Sequence, residues 1–382
     1  NILLRRANAL LGVDLEDIEK YIMDLCIERK TVMKEVDEEI RIYPAHYYYL
    51  ELNTAKMLND LDIDCQMPED MMEKRLKRVE QKEKIELDPM QHRAVIEAIK
   101  HGLLILTGGP GTGKTTTTNT MIQFFESEGM SILLAAPTGR AAKRMTEATG
   151  YEAQTIHRLL EVSGNPEEEN SVGGFLRNRE NPLETDVIII DEMSMVDLNL
   201  MHALLSAVIP GTRLILVGDV DQLPPVGPGN PLKAIIESEM APVVRLNHIF
   251  RQEEGSGIIE NAVLIREGKY CCPDENGDFQ ILYTDSEDDA FHKIMTLCWH
   301  FHYADEDNKL KMQVLSPMYK GACGVDHLNA SIQKVVQGSD HLPFPFAVGD
   351  KVMQRRNDYE KKVYNGDVGI VWAVNENKLF VR

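Results

Sequence analysis

At 382 residues the chain is long enough for two or three domains, each with a core of its own. Apolar residues make up 43% and charged residues 27%, ordinary for a soluble globular protein, and no apolar run approaches membrane-spanning length. A formal net charge of −20 excludes a protein that coats polyanions generally, but not one with a narrow basic channel, because phosphate contacts are local and screening is short-ranged.

Six cysteines, at 26, 65, 271, 272, 298 and 323, show no metal-type pairing and read as reduced thiols of a cytoplasmic protein. The N-terminus has no signal-peptide layout. The chain opens on Asn1 and stops at Arg382 in mid-strand pattern, which reads as a piece of a longer protein.

Residues 1–86 form a helix-rich unit. Apolar residues at helical spacing (Leu15, Ile18, Ile22, Leu25) precede a hairpin pattern over 31–43, and 47–61 returns to helical spacing. Helices followed by a short hairpin suggest a winged-helix-like module; a small packing domain fits the acidic composition equally well. The charged run 67–86 reads as a helix-containing linker.

From Leu87 strands alternate with helices. Apolar strands at 103–106, 132–136, 187–190 and 213–217 lack alternation, so they predict a parallel sheet covered on both faces. An acidic, Gly- and Asn-rich stretch at 161–185 reads as an inserted loop or small hairpin. Residues 247–345 predict a second α/β unit with a core strand at 312–315, and 346–382 the beginning of a small β-barrel-like module.

The first chemical station is LTGGPGTGKTT. A strand breaks into glycines and a helix follows, so backbone N–H groups can converge on phosphate oxygens. Gly109, Pro110, Gly111, Thr112 and Gly113 make the cradle; Lys114 supplies charge to the outer phosphates, and Thr115 and Thr116 open the helix, with the Thr115 hydroxyl a Mg²⁺ ligand. The second station is the strand 187–190 running into Asp191 and Glu192: Asp191 suits Mg²⁺ and Glu192 suits general-base work on the attacking water. At the third, Gln222 follows Asp219 and precedes a stiff Pro224-Pro225 pair; it reads as a γ-phosphate sensor, against a turn cap and a surface amide. Pro137, Thr138, Gly139 and Arg140 make a second strand-to-helix turn able to hold a phosphate, and Thr155, His157 and Arg158 a third. Arg251 reads as an arginine for transition-state charge, or as an ordinary ion-pair partner.

In order and spacing these stations resemble a superfamily 1 DNA helicase of the RecD-like B branch, which includes the exodeoxyribonuclease V alpha-subunit family. LDPMQ resembles the adenine-reading Q motif, with Gln91 its glutamine. GGPGTGKTT, APTGRAA, TIHRLL, IIIDEMSMVD, GDVDQLPPVGPG and LNHIFRQ resemble motifs I to IV. The resemblance covers 87 to the end. It implies RecA-like P-loop NTPase domains, 1A at 87–246 with a 1B pin at 161–185 and a partial 2A at 247–345, then the start of an SH3-like 2B insertion at 346–382. It implies ATP with Mg²⁺ as cofactors, single-stranded DNA and single-strand/duplex junctions as partners alongside recombination or repair proteins, and 5′→3′ translocation with unwinding. The alternative is a nucleotide-gated DNA-binding subunit of an exonuclease V-type complex. No motif V or second catalytic arginine precedes Arg382, so this stretch alone is expected to bind nucleotide and turn it over poorly. Arg177 and Arg179 are expected on the pin, in the DNA path.

Overall fold

The chain divides into two compact units, Asn1–Gln252 and Glu253–Arg382. The computed structural model describes every residue except 1, 37, 62, 64, 163–173, 249–255, 275–276, 305–311, 338–344, 359–360, 362 and 376–377. The first unit opens with helices α1 (Ile2–Leu11) and α2 (Leu15–Ile27), which bury little beyond Ile18. Strands β1 (Thr31–Val36) and β2 (Glu39–Pro44) pair antiparallel, Lys34 facing Arg41 and Val32 facing Tyr43. Helix α3 (Ala45–Asn59) starts on this hairpin and ends in the main core, where Met57, Leu58 and the following Leu61 are buried.

Helix α4 (Glu69–Glu83) is no free linker. Met72, Leu76 and Val79, spaced four and three residues apart, are buried in the core on one side of the sheet. Arg75 pairs with Glu128, and Lys100 reaches Glu69 at 2.8 Å. Three buried positions are a narrow stripe, which is why the segment's composition reads as solvent-facing.

The sheet that follows is parallel and six-stranded. Its strands are β3 (Leu103–Gly108), β4 (Ile132–Ala136), β5 (Ala153–Thr155), β6 (Val187–Ile190), β7 (Arg213–Gly218) and β8 (Val243–Leu246), in spatial order β5-β4-β6-β7-β3-β8. Alternate residues enter opposite cores. Leu103, Ile105, Ile188, Ile190, Leu214 and Leu216 point to one side; Leu104, Leu106, Val187, Ile189, Ile215 and Val217 point to the other. Helices α5 (Pro89–Lys100), α6 (Lys114–Ser127) and α7 (Gly139–Thr149) join α4 on the second side; the short α8 (Ile156–Leu159), α9 (Leu198–Ala207) and α10 (Pro231–Ser238) cover the first. The four strands expected from the sequence are present, and two short strands extend the sheet at its edges. Of the insertion, 163–173 lies outside the described residues. At its base Val162 bridges Phe175, and Arg177 binds Glu161 at 2.8 Å and the Pro182 carbonyl at 3.3 Å. Arg177 therefore fastens the base of the insertion.

In the second unit, α11 (Gly257–Arg266) is clamped to its following loop by buried Asn261, which donates to the Cys272 carbonyl and accepts from the Cys272 N–H. Helices α12 (Glu287–Ala304) and α13 (Val325–Gln337) meet where the Phe291 ring stacks on His327, centroids 4.8 Å apart. Strands β9 (Lys351–Met353), β10 (Val368–Asn375) and β11 (Lys378–Val381) form an antiparallel sheet in the order β11-β10-β9. Buried Asp350 ties it to α13 by accepting from Gln333 and Gln337. The strand expected at 312–315 is absent: these residues pair with nothing in a sheet, and Leu315 is 84% exposed. An apolar run becomes a strand only beside a neighbour that completes its ladder. Among the described residues no helix is long and apolar enough to cross a membrane.

Because Leu76 is fully buried, Leu76→Ala is expected to lower unfolding free energy by about 2–5 kcal/mol, against less than about 0.5 for exposed Lys74→Ala. Chemical denaturation of the two variants checks that α4 belongs to the core; equal midpoints would return it to the linker reading.

Candidate nucleotide site

Because all six strands are parallel, every strand-to-helix turn emerges at one edge of the sheet, where open α/β sheets bind ligands. Gly111 and Gly113 sit at φ +77° and +84°, backbone that side chains rarely adopt, and Gly113 caps α6. A Cβ on Gly108 would lie 2.6 Å from Thr112 Oγ1 and 2.8 Å from the Leu246 carbonyl, so the loop is packed from behind. Gly109, by contrast, meets nothing within 4 Å. Thr112 is buried and its hydroxyl donates to the Gly109 carbonyl at 2.9 Å. Lys114 Nζ donates to the carbonyls of Gly108 (2.5 Å) and Gly109 (3.0 Å), folding its ammonium back over the loop. Pro110, Thr115 and Thr116 are exposed at the mouth. The glycine loop thus leads into the N-terminus of α6, an arrangement able to hold a nucleotide's phosphates.

Asp191 follows β6, two strands from β3 in the sheet. Its N–H donates to the Ala135 carbonyl (2.9 Å) and its Oδ1 accepts from the Glu192 N–H (2.8 Å). Burial pushes its carboxyl above the usual range, opposed by that N–H, by Lys114 and by Arg144. Glu192 is also raised, first by burial and then by the neighbouring Asp191 charge, against the pull of Lys114 and Arg144. It adopts left-handed backbone at φ +55°, unusual for a side chain of its size, and starts a 3₁₀ turn, Met193–Met195, whose Met193 is fully buried.

Gln222 lies beyond β7, between these two strands. Its Oε1 accepts from Ser194 Oγ at 3.3 Å, which links it to the turn after Glu192. Buried Asp219 caps the loop through the Asp221 N–H, and the Val220 N–H donates to Thr107 Oγ1 at the end of β3. Farther along, a Cβ on Gly227 would fall 1.8 Å from Asp197 Oδ2, so this loop runs hard against the start of α9. Lys114, Asp191, Glu192 and Gln222 are therefore grouped at one edge of three adjacent strands. Arg251 lies outside the described residues.

Gln91 occupies the third position of α5 and is 3% exposed. Its side-chain oxygen accepts from the Asp88 N–H, and Asp88 accepts in return from the Met90 and Gln91 N–H groups. The glutamine expected to read adenine thus spends its carbonyl on a capping box. On β4 and β5, next along the edge, Thr138 and Thr155 accept from the N–H groups of Ala141 and Arg158, capping α7 and α8. Pro137 and buried Gly139 shape the first turn, and Arg140, His157 and Arg158 are exposed beside it. His157 packs 5.9 Å from the Phe175 ring. Ala136 pairs with Thr155, which brings the two basic turns together.

Three residues at this edge escape a reading of the sequence. Thr107 and Ser194 are ordinary polar residues whose tethering roles exist only in the fold. Arg144 pulls on both acids, and its signal was its position four residues after Arg140, on the same face of α7.

Comparison with known proteins follows the same division. Residues 91–228 match the AAA domain family, and residues 328–382 match the family described as the ATP-dependent RecD-like DNA helicase SH3 domain, a match that begins within α13, ahead of the expected 346. The chain is similar to the ATP-dependent RecD2 DNA helicase of Deinococcus radiodurans, 39% identical over 285 residues, covering 74% of this chain and 38% of the relative. It is also similar to the RecBCD enzyme subunit RecD of Mycolicibacterium smegmatis, 34% identical over 327 residues, covering 74% of this chain and 57% of the relative. The chain thus spans about half the length of these curated relatives or less. A structure of two coordinating Pif1 helicases at forked duplex DNA aligns with TM-score 0.43 and 22% identity, over 78% of this chain and 74% of that one, a likeness too loose to build on.

The raised Asp191 carboxyl carries a sign. A carboxyl raised by burial disfavours the folded state once pH climbs past the ordinary carboxylate value, and the cost is complete above the raised value. In metal-free protein the Asp191 contribution to stability is therefore expected to fall as pH rises through that window. At neutral pH in EDTA, Asp191→Asn should melt above wild type; a variant melting at or below wild type would overturn the assignment of burial as the dominant cause.

Proposed function

Because the chain belongs to the RecD-like helicase family, we propose that it carries the motor site of an ATP-dependent DNA helicase, translocating 5′→3′ on single-stranded DNA and opening duplexes in repair or recombination. The observation that carries this reading is the grouping of phosphate loop, acid pair and Gln222 at one sheet edge, with two basic turns on the adjoining strands. Single-strand/duplex junctions are the matching substrates, with other recombination proteins as partners in the cytoplasm.

Bound ATP with Mg²⁺ supplies the phosphoanhydride and the cation that neutralises its charge. Among the described residues no group of three or more His, Cys, Asp or Glu could hold a metal ion unaided. Mg²⁺ would accordingly rest on Thr115 and Asp191 together with phosphate oxygens. Lys114 exchanges its two loop carbonyls for the outer phosphates. Glu192, kept more basic than an ordinary carboxylate by burial, takes the proton from the attacking water. Gln222, tethered through Ser194 to the turn beside that base, orients the water or reads the γ-phosphate. Arg251 stabilises charge on the transferring phosphoryl group. Phosphates of the DNA strand bind the capped first turns of α7 and α8, through Arg140, Arg158, His157 and the N–H groups between them.

In the full-length protein, Glu192→Gln should retain nucleotide affinity while lowering strand-stimulated turnover about 10²–10⁴-fold. Steady-state hydrolysis beside nucleotide-binding titrations tests this, and turnover near wild type would remove Glu192 as the base. A second reading, a nucleotide-gated DNA-binding subunit of an exonuclease V-type complex, is favoured by the RecD subunits among the relatives. On that reading Lys114→Ala leaves strand-dependent complex assembly intact; on the motor reading it abolishes ATP-driven unwinding, and a strand-displacement assay separates the two.

A further inference from the structure

We propose that the ring row Tyr43, Tyr48 and Tyr49, with Lys34 and Arg41 beside it, is a docking platform for single-stranded DNA distinct from the turns of α7 and α8. The hairpin register sets the chemistry. Lys34 faces Arg41 and Val32 faces Tyr43 across β1 and β2, so alternation puts both cations and the Tyr43 ring on one face. Helix α3 lays Tyr48 against that face: its ring centroid is 5.7 Å from Tyr43, and Lys34 Nζ sits 5.8 Å from the same ring. Tyr49 extends the row, 5.4 Å from Tyr48 at 84°, and is 54% exposed. Tyr43 and Tyr48 are half-buried, holding hairpin to helix, while Lys34, Arg41 and Tyr49 face water.

One water-facing ring, backed by two half-buried rings and flanked by two exposed cations, fits one polymer well. Bases stack on tyrosine whatever their sequence, and cations between the rings meet the phosphates. An apolar protein partner would gain little from Lys34 and Arg41 at the centre of its contact, and duplex DNA offers no free base to stack. Acidic Glu39, 3.9 Å from Arg41, and Glu35 on the opposite strand face limit the patch to a short stretch of strand. The choice of DNA as the polymer rests on the proposed function; the preference for single strands rests on the rings.

The test is fluorescence anisotropy of the full chain with labelled oligo-dT over a series of salt concentrations. Tyr49→Ala is expected to weaken binding about tenfold and Tyr49→Phe to restore it, because stacking needs the ring and not the hydroxyl. Lys34→Gln is expected to reduce the slope of log affinity against log salt by about 0.7, the loss of one phosphate contact on a single strand. Arg140→Ala serves as the control on the motor turns. Wild type that binds no oligo-dT overturns both this platform and the DNA reading of the motor. Binding that Arg140→Ala weakens while Tyr49→Ala and Lys34→Gln leave it unchanged overturns the platform alone, leaving the rings as packing between hairpin and helix.

Discussion

Two carboxylates and one ammonium meet at the edge of a sheet whose central strands have no face open to water. Strand β6 is buried along its whole length, so Asp191 leaves the sheet already stripped of most solvent. Burial disfavours its charged form, and the next residue carries a second acid in the same surroundings. Lys114 and Arg144 oppose that cost, and the Glu192 N–H opposes it at Asp191. The arrangement is therefore held at a disadvantage that a cation among phosphates would relieve. A site built this way has its two acids placed before ligand arrives, and the reorganisation left for the binding step falls on Lys114, which must leave the Gly108 and Gly109 carbonyls.

Backbone conformation holds the groups in place. Glu192 stays in left-handed backbone because the turn behind it is anchored by fully buried Met193 and Val196, which over-determine its position. The phosphate loop is fixed from the other side, by Thr112 against the Gly109 carbonyl and by Leu246 of β8 behind Gly108. Thr107 and Ser194 tie the loop after β7 to β3 and to the 3₁₀ turn, so three loops from three strands behave as one surface.

Much of this was legible in sequence because the chemistry allows few residue types. Glycine takes the positive φ angles at 111 and 113 without the strain a side chain would bring, and a strand buried on both faces reads as unbroken Val and Ile at 187–190. The edges were harder. Strand β8 carries exposed Arg245 amid apolar neighbours, and β5 is three residues long; each is paired along one side only. The charge of α4 hides its seating, since three buried side chains suffice to hold it, and the apolar run 312–315 carries no sign of whether a partner strand lies beside it. The Gln91 side-chain oxygen also closes the capping box that begins α5, a role its place in the motif does not announce.

Helix α7 joins the two halves of the site. Its first turn, capped by Thr138, presents Arg140 to solvent, and one turn later Arg144 acts on the acid pair. Four residues of helix separate the two guanidinium-bearing positions by about 6 Å of axial rise. The helix is seated by Ala142 and Met145, both buried, so its orientation is set by the sheet rather than by either arginine. One rigid element thus carries a cation facing the nucleotide acids and a cation at the strand turn. β4 lies beside β6, and the helix that follows β4 carries the Arg144 charge that favours the ionised form of both acids.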